Sequence, residues 1–454
     1  MLERNQGMDE KLVRQSYKNY ATRFTRKHIS PVCVWKIINS YSGGKRKMYM
    51  RAFDKIQSQG WDPKWSRIRM FVKPDRIPLN EVATKDPRGI QARDPAFNLA
   101  YSCFLKPIEH HIYQQEGTGP TKITNFAKGK NNVERAKHLQ TKWRAFNNPV
   151  ALNIDYKRFD STIAACHLRG THKIYKRFNN SKHFTKLMNQ TIRNTGYTRG
   201  GIKYTIKGTR MSGDFDTGLG NSLVNDATLL TVFGHIKHEI YLDGDDSVVI
   251  IEQQDLASVD FDLFQRLGFE AKIQYAYHPH EIEFCQARLI DSEIPYLARN
   301  PFRTAAHLNV SVKTYSKNLW PSYNEARFYC EMLLSNGLPV IPHLCRNNLK
   351  GVKKYYDEDT KWVMENLVAD DKIIQPTLQV RELYHLAFGI NPEEQILLET
   401  CPNAFNELSV LSYRTKSKYK THYAVESLST TWQAWHSLGD SSSSSCWSRS
   451  QGCL

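Results

Sequence analysis

Paired cysteines are missing from this sequence. Its nine cysteines, at 33, 103, 166, 285, 330, 345, 401, 446 and 453, are scattered, and no two form a C-x-x-C pair. That argues against a zinc ribbon and against a secreted disulfide framework in a chain of 454 residues, so reduced cytosolic thiols fit best. Long apolar runs are missing too, since none approaches the roughly eighteen residues that cross a bilayer. Met1 to Tyr20 is polar and charged and lacks the apolar centre of a signal peptide. Acidic residues are scarce at the front. Residues 1–100 hold 21 Lys and Arg against 9 Asp and Glu, which is +12 of the net +18. A polyanion partner explains that concentration, because each neutralised phosphate releases counterions. A merely soluble basic surface explains charge in general but not where it sits.

With 40% hydrophobic and 24% charged residues, the chain has the composition of an ordinary globular protein, and its length allows two or three sub-domains. No internal repeat is visible. Residues 1–60 read as mainly helical and basic. Residues 61–95 are interrupted by Pro63, Pro74, Pro78, Pro87 and Pro95 and read as extended or looped. Val150–Ile154 (VALNI) has the β-branched character of a strand, and a helix is expected over Phe159–Cys166. Leu219, Leu223, Leu230 and Phe233 give helical spacing to Thr217–Phe233. Ile240–Leu242 and Ser247–Ile251 flank Asp-Gly-Asp-Asp, the pattern of a β-hairpin with acidic residues at its tip. Residues 295–436 read as helix-rich. Ser437–Leu454, with five consecutive serines at 441–445, reads as a disordered tail.

A Gly-Asp-Asp triplet alone is equally an ordinary turn. Two adjacent carboxylates on an apolar hairpin repel each other, however, and a hard divalent cation with oxygen ligands relieves that repulsion. VALNI runs into Asp155, a carboxylate at the end of a strand. Asp155 and Asp245 could then bridge two magnesium ions, an arrangement that stabilises both the attacking and the leaving oxygen in phosphoryl transfer. Asp160 lies five residues further on and would otherwise be a helix N-cap. Ser212-Gly213 makes a flexible turn into a helix on which Thr217 and Asn221 are four residues apart and share a face. A hydroxyl and an amide beside Asp160 suit a ribose 2′-hydroxyl, the group that distinguishes RNA from DNA.

Asp-x4-Asp, then Ser-Gly-x3-Thr-x3-Asn, then Gly-Asp-Asp, in that order, resembles the palm motifs of positive-strand RNA virus RNA-dependent RNA polymerases. The tombusvirus-like (carmovirus-related) group is the closest match. Further likeness lies in F-V-K-P-D at 71–75, K-D-P-R-G-I-Q-A-R at 85–93, L-K-P-I-E at 105–109, G-P-T-K at 119–122, K-W-R-A-F-N-N-P-V-A-L at 142–152, K-G-T-R-M-S-G-D at 207–214 and E-F-C-Q at 283–286. The resemblance covers roughly residues 70–300.

It implies an α+β right-hand fold of fingers, palm and thumb, with an antiparallel palm sheet flanked by helices. Residues 1–149 would be the N-terminal region and fingers, 150–165 palm, 166–206 a fingers insertion, 207–294 palm, 295–436 thumb and 437–454 the tail. It implies Asp155 and Asp245 as metal ligands, with Asp246 as an auxiliary acid, for two magnesium ions with manganese as a substitute. Asp160, Thr217 and Asn221 would check the ribose, and Ser212-Gly213 would form a mobile loop near the template. Lys73, Lys85, Arg88 and Arg93 would line the nucleotide channel, where Arg forks suit triphosphate oxygens. Lys272 in G-F-E-A-K would protonate leaving pyrophosphate; a solvated lysine is the plain alternative. Cys285 would sit in a hairpin supporting the primer strand, or be a simple buried thiol.

Two positions depart from the pattern: Tyr156-Lys157 where relatives often have small residues, and Leu-Asp before Gly244. The chain also begins close to the fingers, without the upstream membrane-targeting region such replicases often carry. The expected partners are RNA template and product, ribonucleoside triphosphates and an accessory replicase protein, in a membrane-associated complex of the host cytoplasm. Two rivals remain: a reverse transcriptase, against which the Asp160/Asn221 pair argues, and a non-catalytic basic RNA-binding protein.

Overall fold

The structure is a computed structural model that describes residues 5–74, 83–84, 86–308, 310–311, 313–367 and 372–401. It is an α+β fold. Its strands are β1 (Ile68–Val72), β2 (Gly89–Arg93), β3 (Pro149–Tyr156), β4 (Arg193–Thr198), β5 (Lys203–Lys207), β6 (His238–Asp243), β7 (Asp246–Glu252), β8 (Ala271–Ala276), β9 (Glu283–Phe284), β10 (Ala287–Ile290) and β11 (Tyr296–Arg299).

The central sheet has the order β6-β7-β3-β8 and is antiparallel throughout. VALNI is apolar at every position but Asn153 because both faces of β3 are covered, and Asn153 is bonded to the Glu281 carbonyl and the Glu283 amide. Val150, Leu152 and Ile154 face the largest core, which they share with Leu219, Leu223 and Val224 of the helix Thr217–Phe233. Ala151 faces a second cluster with Tyr241, Val248, Ile250 and Leu139, the last from the helix Asn132–Trp143. The helix Thr217–Phe233 is buried along most of its length, and the helices Glu10–Ala21 and Ala165–Phe178 pack against it.

A second sheet has the order β2-β1-β4-β5, with β1 and β4 parallel and the other pairs antiparallel. A third, small sheet is β11-β10-β9. Beyond it, helices including Trp320–Leu334, Ile341–Asn348 and Leu378–Phe388 enclose their own core around Phe328, Leu344 and Tyr384. Among the described residues no helix is long and apolar enough to cross a membrane.

One expectation changes. The helix expected over Phe159–Cys166 is two helices, Phe159–Thr162 and Ala165–Phe178, because Ile163 turns extended and its carbonyl accepts from the Thr209 amide at 2.6 Å. The proline-rich stretch 61–95, read as extended or looped, holds the extended strands β1 and β2 beside a short turn of 3-10 helix, Pro63–Ser66. The serine run at 441–445 lies outside the described residues.

Candidate functional site

The β6–β7 hairpin turns in two residues, Gly244-Asp245, with Asp243 and Asp246 as the pair that closes it. Gly244 has φ +71°, a left-handed conformation that a two-residue hairpin needs and glycine adopts without strain. The helix Thr217–Phe233 grips this turn from below. The Gly244 amide donates to Ser222 Oγ at 3.0 Å, and the Asn225 side-chain amide donates to the carbonyls of Gly244 (3.1 Å) and Asp245 (3.2 Å). The Asn225 oxygen in turn accepts from the Tyr156 hydroxyl at 2.9 Å. Tyr156, one of the two departures in the sequence, therefore couples β3 to the turn.

The register brings the acids together. Ile154 pairs with Ser247, so the next residues, Asp155 and Asp246, end adjacent strands on one face; Asp155 pairs across the other side with Lys272. Asp155, Asp245 and Asp246 are exposed, yet the surrounding protein displaces part of the water around Asp245 and Asp246. That desolvation, followed by repulsion from Asp245, Asp155, Asp243 and Glu283, pushes Asp246 up to about 6. Desolvation also raises Asp245, against its own backbone amide, with Asp160, Asp155 and Asp243 adding repulsion. None of the three has an ion-pair partner among the described residues.

Asp243 differs. It is held by Arg135 at 2.7 Å and faces Lys128 at 3.7 Å, so a fourth carboxylate is neutralised within the protein. Neither the triplet nor its spacing signals this, because Arg135 lies 108 residues earlier in the chain.

Three unneutralised carboxylates with only oxygen donors are the chemistry of a hard divalent cation. Among the described residues no three His, Cys, Asp or Glu side chains already close into a cage. The acids stand around an open end of the sheet.

Asp160 is not an N-cap. It lies within Phe159–Thr162, and its carboxylate accepts from the Asn221 amide at 2.7 Å. Burial raises Asp160, with the Asn221 bond and Arg210 opposing the rise. Asn221 is fixed from behind by Arg210, whose Nε donates to its oxygen at 3.3 Å. Arg210 is fully buried and pairs with Asp216 at 2.7 Å, which also accepts from Tyr175 at 3.2 Å and Tyr101 at 3.5 Å. Thr217 shares the helix with Asn221, but its hydroxyl donates to the carbonyls of Met211 and Asp214, both at 2.9 Å. It thereby shapes the loop before the helix. Ser212 and Gly213 of that loop lie along β2: Ser212 Oγ accepts from the Gln91 amide at 3.1 Å, and the Gly213 amide donates to the Gln91 carbonyl at 3.0 Å.

Among the expected channel cations, Arg93 is corrected. Only 3% of it is exposed, and its guanidinium is consumed by Asp214 (2.6 and 2.9 Å), Asn194 (2.7 Å) and the carbonyls of Ser66 and Gln190. It braces the second sheet and offers no donor to a ligand. Lys73 and Arg88 are exposed at the open end of the β1–β2 pair, where the Lys73 amide donates to the Arg88 carbonyl at 2.8 Å. Lys85 lies outside the described residues. Lys272 is exposed on β8 beside Asp155. Cys285 and Gln286 form the β9–β10 turn with φ +51° and +63°, and Arg135 reaches the Cys285 sulfur at 3.5 Å.

The family model for viral RNA dependent RNA polymerase matches residues 5–408. The RNA-directed RNA polymerase of groundnut rosette virus is 31% identical over 395 residues, 82% of this chain and 46% of that protein. That of oat chlorotic stunt virus is 30% identical, over 83% of this chain and 54% of its own length. That of turnip crinkle virus is 28% identical, over 89% and 53%. The chain thus spans about half the length of the curated relatives it matches.

Proposed function

This chain belongs to the viral RNA-dependent RNA polymerase family, and on that premise we propose that it performs template-directed RNA synthesis from ribonucleoside triphosphates for viral replication and transcription. The observation that carries this reading is the set of three carboxylates, Asp155, Asp245 and Asp246, without an ion-pair partner among the described residues at one end of the central sheet, while Asp243 is neutralised by Arg135. Two magnesium ions held by Asp155 and Asp245, with Asp246 beside them, would neutralise charge on the attacking 3′-oxygen and the departing pyrophosphate.

The chain's own residues supply position. Asn225, Ser222 and Tyr156 hold the acidic turn at a fixed height, and positioning is most of what phosphoryl transfer asks of a protein. The Asp160–Asn221 pair, backed by Arg210, presents a polar edge suited to a ribose 2′-hydroxyl. Lys73 and Arg88 meet the triphosphate, and Lys272 next to Asp155 is placed to give a proton to leaving pyrophosphate. The central sheet is then the palm, the β1-β2-β4-β5 sheet part of the fingers, and the helical C-terminal core the thumb. On the same reading an accessory viral protein recruits the chain to a membrane-associated complex in the host cytoplasm.

The test is incorporation of labelled ribonucleotide on an RNA template with magnesium, wild type beside Asp245→Ala. Template-dependent product from wild type alone is expected, with a loss of at least about a thousandfold in the variant. Equal product from both would overturn the site. Incorporation of deoxynucleotides as readily as ribonucleotides would favour a reverse transcriptase.

A further inference from the structure

Arg210 ties together separate parts of the chain around the Asp160–Asn221 pair. Its peptide amide donates to the Asp160 carbonyl at 2.9 Å, and its Nε donates to the Asn221 side-chain oxygen at 3.3 Å. Its Nη1 pairs at 2.7 Å with Asp216, the residue that leads into the helix Thr217–Phe233. A buried ion pair is a poor stability device, because two charges give up their water for one contact. This pair is poorer than most. Arg210 is 2% exposed, and its Nη2 and Asp216 Oδ1 are buried with no hydrogen bond among the described residues. Gly220 completes the seat. A Cβ there would overlap Nη2 and stand 2.6 Å from Cζ, so the guanidinium occupies the space that a side chain would take. Glycine is a poor residue for a helix interior, and its presence here is explained by that close approach.

What the arrangement supplies is direction. A side-chain amide has a donor end and an acceptor end of nearly equal size. A guanidinium only donates, so the Asn221 oxygen faces Arg210 and the Asn221 NH2 faces Asp160, to which it donates at 2.7 Å. That bond takes one Asp160 oxygen. The other has no hydrogen-bond partner among the described residues and is left to accept. A ribose 2′-hydroxyl is a donor that fits it, and a deoxyribose has none to give. With the amide reversed, its oxygen would face the carboxylate and repel it, or draw a proton onto it, and the acceptor would be lost. The Asn221 bond and the Arg210 charge also oppose the rise that burial imposes on Asp160.

We propose that Arg210, seated against Gly220, is a positioning residue for sugar selection. It fixes the direction of the Asn221 amide and so keeps one Asp160 oxygen open to the 2′-hydroxyl of the incoming nucleotide. The proposal rests on the polymerase reading for the nucleotide and on the chain's own contacts for the rest.

The test is extension of an RNA primer by one residue on an RNA template that calls for adenosine, with kcat/KM measured for ATP and for 2′-deoxy-ATP in the full chain. Arg210→Lys keeps a cation for Asp216 but loses the fork that also reaches Asn221. Its kcat/KM for ATP should fall at least about tenfold, while that for 2′-deoxy-ATP stays within about twofold. Gly220→Ala should give the same split, because its Cβ displaces the guanidinium. Asn221→Ala should lose at least as much with ATP, and adding Arg210→Lys to it should cost nothing further. Arg210→Met/Asp216→Leu removes both charges at once, which spares the fold an unpaired buried ion, and should split the two nucleotides in the same way. Melting curves verify that each variant folds. Equal losses for both nucleotides in Arg210→Lys and in the charge-free double variant would show a merely structural role and overturn the proposal. Additive losses in Arg210→Lys/Asn221→Ala would overturn it too, since Arg210 would then act by another route. Wild type that extends with ATP and 2′-deoxy-ATP alike would remove the ribose assignment on which the proposal depends. Wild type that extends with neither would sink the polymerase reading and the proposal with it.

Discussion

Tyr156 and Arg210 show how much of the site rests on side chains that touch no reactant. Tyr156→Phe deletes one hydroxyl and leaves the buried Asn225 oxygen unpaired. A loss of about 1–2 kcal/mol in thermal stability is expected. Turnover should fall more than nucleotide KM rises, because the acidic turn loses its brace. Arg210→Leu strands Asp216 in the interior without its cation and should cost about 3–5 kcal/mol by chemical denaturation.

Asp246 gives a pH signature. Its pKa, raised to about 6 in the fold, means the folded state holds its proton more tightly than the unfolded chain does. The stability it contributes is complete below about pH 4 and is lost as pH rises through 6. Asp246→Asn should therefore stabilise the metal-free protein at pH 7 to 8, by of order 1 kcal/mol once solvent screening is allowed for, and leave it unchanged at pH 4. Melting curves at both pH values, with chelator, check this.

The acids were legible because each lies at the end of a local apolar pattern. Arg93 was misread because its partner Asp214 lies 121 residues away, and a cation in a basic stretch looks the same whether it faces solvent or a buried carboxylate.

Elements divide in the same way. The hairpin with its two-residue turn and the helix Thr217–Phe233 stand where the sequence places them, since turn glycine and apolar spacing are local signals. The break after Thr162 carries no such signal: it follows from a bond between Ile163 and Thr209 that only the tertiary fold supplies. The strands β1 and β2 hide among prolines, and what secures them is the pairing of β1 with β4, over a hundred residues on, and of β2 with β1.

Gly213 is the joint between the 211–214 loop and β2. A Cβ there would come within 2.9 Å of the Ala92 Cα and the Gln91 carbonyl, both backbone atoms that cannot swing aside. Gly213→Ala should push the loop off the strand at about 1–3 kcal/mol and lower RNA synthesis at least about tenfold. Binding of magnesium to the acids, followed by calorimetry, should be unaffected.

At the scale of the whole molecule, the burial pattern predicts two steps in unfolding. The C-terminal helices enclose Phe328, Leu344 and Tyr384 in a core separate from the one beneath the central sheet. Leu344→Ala should destabilise only the transition belonging to residues 301–400, by about 2–5 kcal/mol. Hydrogen exchange under rising denaturant should show those helices opening while the helix Thr217–Phe233 stays protected. A single shared transition would show the two cores to be one cooperative unit. The sequence marks this region as helix-rich and the resemblance sets it apart as a thumb, but neither shows a separate core, because periodicity marks a buried face without saying which neighbour covers it.

Arg135 grips Asp243 on one hairpin and touches the Cys285 turn on another. Both partners are largely shielded, with 15% of each side chain exposed, so either charge alone is a liability and the two together are neutral. The pair should behave as one heritable unit. A lineage that drifts at position 135 would be expected to drift at 243 as well, and the double variant Arg135→Gln/Asp243→Asn to be milder than either parent.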